Sequence, residues 1–225
     1  MTSVLKAALI LFWAVAVNFA GAQNKAWNKP YTEWSERDVN KVLSESPWAQ
    51  TQIITDTSRM TFSPGQGGAS HQAQSTSHWI RFLSAKPIRQ ALYRSCEMNR
   101  KSTPPEIEAA RRFMDSEYED TIVVAVSYDS ADPQYNLQAG AKFSKATTSL
   151  LKNNTYLELN NGKRLFLQEY QPPGPDGLGA KFIFARLVDG LPFINPGHRI
   201  VRFVGMGLNV QFKIADMMFG GVLEY

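Results

Sequence analysis

Cysteine is nearly absent: Cys96 is the one cysteine among 225 residues. A chain with a single cysteine has no internal disulfide, so packing must supply its stability. Histidine is scarce too. His71, His78 and His198 are the three, and none stands in a His-x-x-x-His or Cys-x-x-Cys pair, the close spacings that mark transition-metal sites. No metal site is therefore expected. Asp129 and Asp132 in DSADPQ lack the glycine-containing acidic loop with a terminal glutamate that calcium uses, and Asp before Pro reads as a turn.

Signatures of chemistry are missing as well. There is no Gly-x-x-x-x-Gly-Lys-Ser/Thr loop to cradle phosphates and no Gly-x-Ser-x-Gly elbow. GQGG at 65–68 is not flanked by a clear strand and helix, so no cofactor is expected. Glu97, Glu106, Glu117 and Glu119 fall on or beside expected helices, where capping and solvation account for them. Carboxylates that pair only in space leave no spacing to read, so no catalytic residue is nominated. Cys96 falls on the expected inner face of a helix, with Ile88, Leu92 and Ser95, and reads as a buried structural thiol. There is also no internal repeat of about 20–50 residues, which argues against a solenoid or propeller.

Charge of one sign is not in large excess. The formal net charge is +4, too mild, without an aromatic-basic array, to imply nucleic acid. Apolar residues make up 44% and charged residues 20%, a globular balance that excludes wholesale disorder.

What is present begins with a leader. Lys6 precedes an apolar run from Ala7 to Val17, and Ala20-Gly21-Ala22 places small residues where a signal peptidase reads. The expectation is a signal peptide over 1–22, a mature chain from Gln23, and a periplasmic or extracellular address. The apolar run is short for a bilayer span of roughly 20 residues. No later run is long enough, so no integral span is expected after cleavage.

YTEWSERDVNKVLSESPWAQ, residues 31–50, reads as a clasp fastening one end of a domain. Ser35 is an N-cap answered by Asp38, and Trp34 and Val39 have hydrophobic-staple spacing. Ser46-Pro47 ends the helix. A helix of about ten residues is marginal alone, so Trp34 and Trp48 should anchor it. This stretch, with IRFLSAKPIRQAL at 80–92, resembles a group of uncharacterised exported bacterial proteins. In these a similar Trp-helix-Ser-Pro-Trp-Ala opening precedes an Arg-Phe-Leu-Ser-Ala-Lys-Pro segment. The resemblance implies export and brings no activity with it.

Further along, 63–77 reads as a flexible Gly/Ser/Gln loop and 78–84 as a strand. A helix should follow Pro87. A second, over 104–117, should start at a Thr103/Glu106 capping box and turn Ile107, Ala110 and Met114 inward. TIVVAVSY at 121–128 reads as a central strand, SADPQ as a loop and 137–151 as a helix. From Thr155 the pattern is strands: TYLEL and KRLFLQEY about Asn160-Asn161-Gly162, AKFIFARLV, and the pair HRIVRFVGM and NVQFKIADM. Phe166, Tyr170, Phe182, Phe184, Phe203, Phe212 and Phe219 should fill a core.

The expected fold is α+β over 23–225. A mostly antiparallel, sandwich-like or curled sheet forms in the C-terminal half, with two or three helices from the N-terminal half packed on it. The expected function is non-enzymatic binding of an envelope protein or a small ligand. Rival readings are a hydrolase whose carboxylates converge in the fold and a lipocalin-like carrier of an apolar ligand.

Overall fold

The computed structural model describes residues 25–57 and 73–225. The leader with Ala20 and Ala22, His71, and residues 63–72 of the expected loop lie outside them.

Two 3-10 turns, Ala26–Asn28 and Tyr31–Glu33, lead into α1 (Glu36–Glu45), β1 (Ala49–Asp56), β2 (Gln74–Phe82), α2 (Lys86–Met98), α3 (Pro104–Met114) and β3 (Thr121–Ser130). Then come α4 (Pro133–Lys145), α5 (Thr148–Leu151), β4 (Tyr156–Leu159), β5 (Arg164–Phe166), β6 (Glu169–Gln171) and β7 (Ala180–Ala185). The chain finishes with β8 (Leu187–Val188), β9 (Leu191–Pro192), β10 (Ile200–Gly205), β11 (Leu208–Lys213), β12 (Met218–Phe219) and β13 (Val222–Leu223). Strand pairs among the described residues are antiparallel. The fold is α+β and β-rich, and among the described residues no helix is long and apolar enough to cross a membrane.

Two sheets carry the fold, ordered β1-β2-β3-β7-β6 and β11-β10-β4-β5. Period-2 alternation sends one face of each inward. Phe82 on β2 meets Phe212 on β11 at 4.8 Å, and Phe182 on β7 meets Phe203 on β10 at 5.1 Å, both edge-on. Rings thus fill the space between the sheets, where an apolar-ligand carrier would need a cavity. Strand β3 is central in its sheet, and Ile122 to Val126 are all buried. One turn fixes a glycine: Gly179 has φ +87°, and a Cβ there would stand 2.2 Å from the Val126 carbonyl oxygen.

The opposite face of the larger sheet carries α1. Arg81 of β2 reaches up to donate from Nε to the Leu43 carbonyl at 2.6 Å and from Nη1 to Ser127 Oγ at 2.8 Å. It thereby satisfies a carbonyl at the C-terminal end of α1, and burial draws its pKa down to about 10. α2 packs on α1, and α3 packs on α2. At the other end of the sandwich, Phe143 of α4 stacks on Tyr128 with ring centroids 5.2 Å apart, and its carbonyl accepts from the Tyr170 hydroxyl.

Several expectations need correction. Residues 74–77 belong to β2 and pair with β1, because β1 offers QSTS a ladder of partners from Gln74 to Ser77. The helix expected over 104–117 stops at Met114, where Asp115 caps it. None of its residues is fully buried, and its main neighbour is α2. Asp132-Pro133 is an N-cap and first turn, not part of a loop: Asp132 Oδ1 accepts from the Gln134 N–H at 2.8 Å. The helix expected over 137–151 is two, α4 and α5. KRLFLQEY is two strands, β5 in one sheet and β6 in the other, so it passes between layers. Phe166 is 48% exposed, on the outer face of its sheet against Tyr156, and is not core.

Candidate functional site

A recess walled by charged side chains lies where α2 begins. β2 runs through Leu83 and Ser84 into the helix. The Leu83 N–H binds the Val123 carbonyl, and Ser84 Oγ accepts from the Val123 N–H at 3.0 Å. The N-cap residue, Ala85, has no side chain able to cap. The cap comes instead from far along the chain: Glu224 Oε2 accepts from the Lys86 N–H at 2.9 Å. A carboxylate at a helix N-terminus satisfies an orphan donor and complements the dipole.

One turn on, Arg89 points into the space between α2 and the segment following α3. Its Nε donates to the Met114 carbonyl at 3.2 Å, Nη1 donates to the Ser84 carbonyl, and the guanidinium lies 5.0 Å from the centre of the Tyr118 ring. The residue is 6% exposed. The ion pairs among the described residues join Lys29 to Asp38, Arg94 to Glu97, Arg164 to Glu158 and Lys181 to Asp176, and do not include it. Its Nη2 makes no hydrogen bond among the described residues. Burial pulls the guanidinium below its ordinary pKa and the nearby Arg186 charge adds to this, while Tyr118, Glu224 and Asp115 oppose it.

Arg186, just past β7, forms a further wall. It donates to the Tyr225 backbone oxygen at 2.8 Å and lies 3.9 Å from the centre of that ring. The recess, open on one side, has a volume of about 550 Å³ and is also lined by Glu117, Glu119 and Val222. A second concavity, about 770 Å³, runs between α2, α3 and residues 175–178, with Leu92, Phe113 and Leu178 among its lining residues.

Of the clasp residues, Trp48 adjoins the recess through Glu224. Trp34, Val39 and Trp48 are buried, and Ser35 and Asp38 form the reciprocal capping box. Ser35 Oγ, followed by Lys29, holds the Asp38 carboxyl well below the usual carboxylate range. The Trp34 indole N–H donates to the Lys29 carbonyl, and Arg94 of α2 donates to the Trp34 carbonyl, so Trp34 ties the start of α1 to α2. Trp48 is tied to the β half: its indole N–H donates to the Glu224 carbonyl at 2.9 Å, and its ring meets Phe219 edge-on. Trp48 therefore holds the backbone of the residue whose carboxylate caps α2 in the recess.

Other nominated groups lie elsewhere. Cys96 is half-buried and not part of the core. It lines the second concavity, where its Sγ contacts Ser102 Oγ at 3.5 Å, and Ser95 is exposed. The buried residues of α2 fall between Pro87 and Tyr93, ahead of Cys96. His78 is buried on the inner face of β2 beside Phe143 and Tyr128. His198 is in the turn before β10, Asp129 bonds Asn136, and Glu97 and Glu106 pair with Arg94 and Thr103. Among the described residues no group of three or more His, Cys, Asp or Glu side chains is placed to hold a metal ion. Sequence reasoning passed over Arg89 and Arg186. The one signal for Arg89 was its place in PIRQALY, a helix start with hardly a polar face.

The class defined so far is an α+β domain of two antiparallel sheets with an arginine-walled recess at one helix start. Comparison with protein-family profiles, with curated proteins and with solved structures gives no match to this chain.

Proposed function

We propose that this chain is an exported, non-enzymatic domain of the cell envelope that binds a small ligand by its anionic end in the recess beside Arg89. The supporting observation is the state of that guanidinium: 6% exposed and outside every ion pair of the described residues. Burying an unpaired charge costs several kcal/mol. Two backbone carbonyls and a tyrosine ring offset part of this, and a carboxylate against the free edge of the fork would offset more through charge-assisted hydrogen bonds. Export rests on the leader and on the resemblance carried by residues 31–50 and 80–92.

The test is isothermal titration of the mature chain with benzoate and with benzamide at constant ionic strength. The pair differs in charge and hardly in shape. Benzoate should bind and benzamide should not, and Arg89→Lys, which keeps the charge and loses the fork, should weaken benzoate. Equal binding of the two, or none by benzoate, contradicts the proposal without reliance on the variant.

A further inference from the structure

We infer that Glu224 is the specificity-determining residue of this recess: its carboxylate, fixed at the start of α2, admits a singly charged anion to Arg89 and disfavours a doubly charged one. This rests on Arg89 being the anion site and adds what selects among anions.

Glu224 is held in place by its backbone. Its N–H donates to the Met217 carbonyl at 3.0 Å, and its carbonyl accepts the Trp48 indole N–H at 2.9 Å. The half-buried side chain then reaches α2, where Oε2 accepts the Lys86 N–H at 2.9 Å. An incoming anion therefore finds this donor of the helix start already used by an internal carboxylate, with Arg89 one turn further on. Glu224 and Arg89 line the same recess, and the carboxylate is near enough to favour the charged form of the guanidinium. A carboxylate that near Arg89 also repels an anion bound there.

The repulsion is graded by charge. Coulomb energy scales with the product of the charges, so a dianion feels twice what a monoanion feels at the same place. The recess is also lined by Lys86 and Arg186 and by Asp115, Glu117 and Glu119. With Arg89 and Glu224 included, four carboxylates stand against three cations, so the lining holds no positive surplus for a second negative charge. Among the described residues, Glu224 is the one of these carboxylates hydrogen-bonded to the helix that carries Arg89.

The experiment titrates the chain and its Glu224→Gln variant with benzoate and with phenylphosphate, at pH 8 and fixed ionic strength. A phosphate monoester has its second pKa at about 6 and is a dianion there. Glutamine keeps the shape and the acceptor for the Lys86 N–H and removes the charge. The unsubstituted chain should bind benzoate more tightly than phenylphosphate, a test that needs no variant. Glu224→Gln should tighten benzoate by at least about threefold and phenylphosphate by about the square of the benzoate factor. A role in capping alone would change the two ligands alike. Equal factors, no tightening of benzoate, or a preference of the unsubstituted chain for phenylphosphate overturns the inference and leaves the anion site standing. Benzoate binding to neither protein removes the anion site and the inference together.

Discussion

Truncating Trp48 to alanine removes the residue that joins the clasp to the far end of the β half. The side chain is 0% exposed, packs edge-on against Trp27 at 5.7 Å and Phe219 at 6.1 Å, and donates its indole N–H to the Glu224 carbonyl. Losing a buried tryptophan costs about 3–5 kcal/mol, and the broken hydrogen bond adds about 1 kcal/mol. A domain holds together by only about 5–15 kcal/mol in total. In a chain of this size each kcal/mol moves the midpoint by about 2–4 °C. Trp48→Ala should therefore lower Tm by roughly 8–24 °C. Trp48→Phe, which keeps most of the ring packing and loses the donor, should fall well short of that. Thermal unfolding followed by near-ultraviolet circular dichroism, with urea midpoints as a second measure, reads both. A near-normal Tm for Trp48→Ala together with lost ligand binding would refute the clasp and make this stretch the functional surface.

Further outcomes follow from single groups. Burial lowers the pKa of His78 from 6.5, so the unfolded chain takes up a proton first as pH falls. Its contribution is fully present above about pH 6.5 and is lost below it, so the urea midpoint should drop from pH 8 to pH 5.5, and His78→Phe should flatten that drop. Cys96 is half-buried, so the native protein should react with a thiol reagent without unfolding. Cys96→Ala should cost about 1 kcal/mol or less, and resistance of the native thiol to labelling would count against its placement. Gly179→Ala forces a Cβ against the Val126 carbonyl at positive φ. It should destabilise by on the order of 2–3 kcal/mol, and a urea midpoint equal to wild type would contradict that turn.

Local features of the fold were legible because local chemistry decides them. Ser35 and Asp38 are three residues apart, and the capping box they form needs nothing from the rest of the chain. Asn160-Asn161-Gly162 turns β4 into β5, with Gly162 at φ +82° as such a turn demands. The alternation of Val210, Phe212 and Ile214 names the buried face of β11 and its continuation. Where tertiary contacts decide, the reading failed. QSTS at 74–77 has the composition of a loop and becomes strand because β1 and β3 are there to pair with it. Leu165 and Tyr170 sit in one apparent strand but serve different sheets. The recess was the least legible feature of all. Its walls come from residues near 86, 116, 186 and 224, and no spacing along the chain announces that these meet. Arg89 looks like an ordinary helix-surface arginine until α3 and Tyr118 cover it.

The anion site at Arg89 is tested most directly by watching the guanidinium itself. Arginine Nε–H resonances of the labelled chain, assigned with Arg89→Lys and Arg186→Lys, would be followed during titration with benzoate and, separately, benzamide. Benzoate should shift the Arg89 resonance in a saturable way while those of surface arginines such as Arg37 and Arg100 stay still, and benzamide should leave it unmoved. An Arg89 signal indifferent to benzoate, or one that moves only in step with the surface arginines, would contradict the claim that the recess receives an anion.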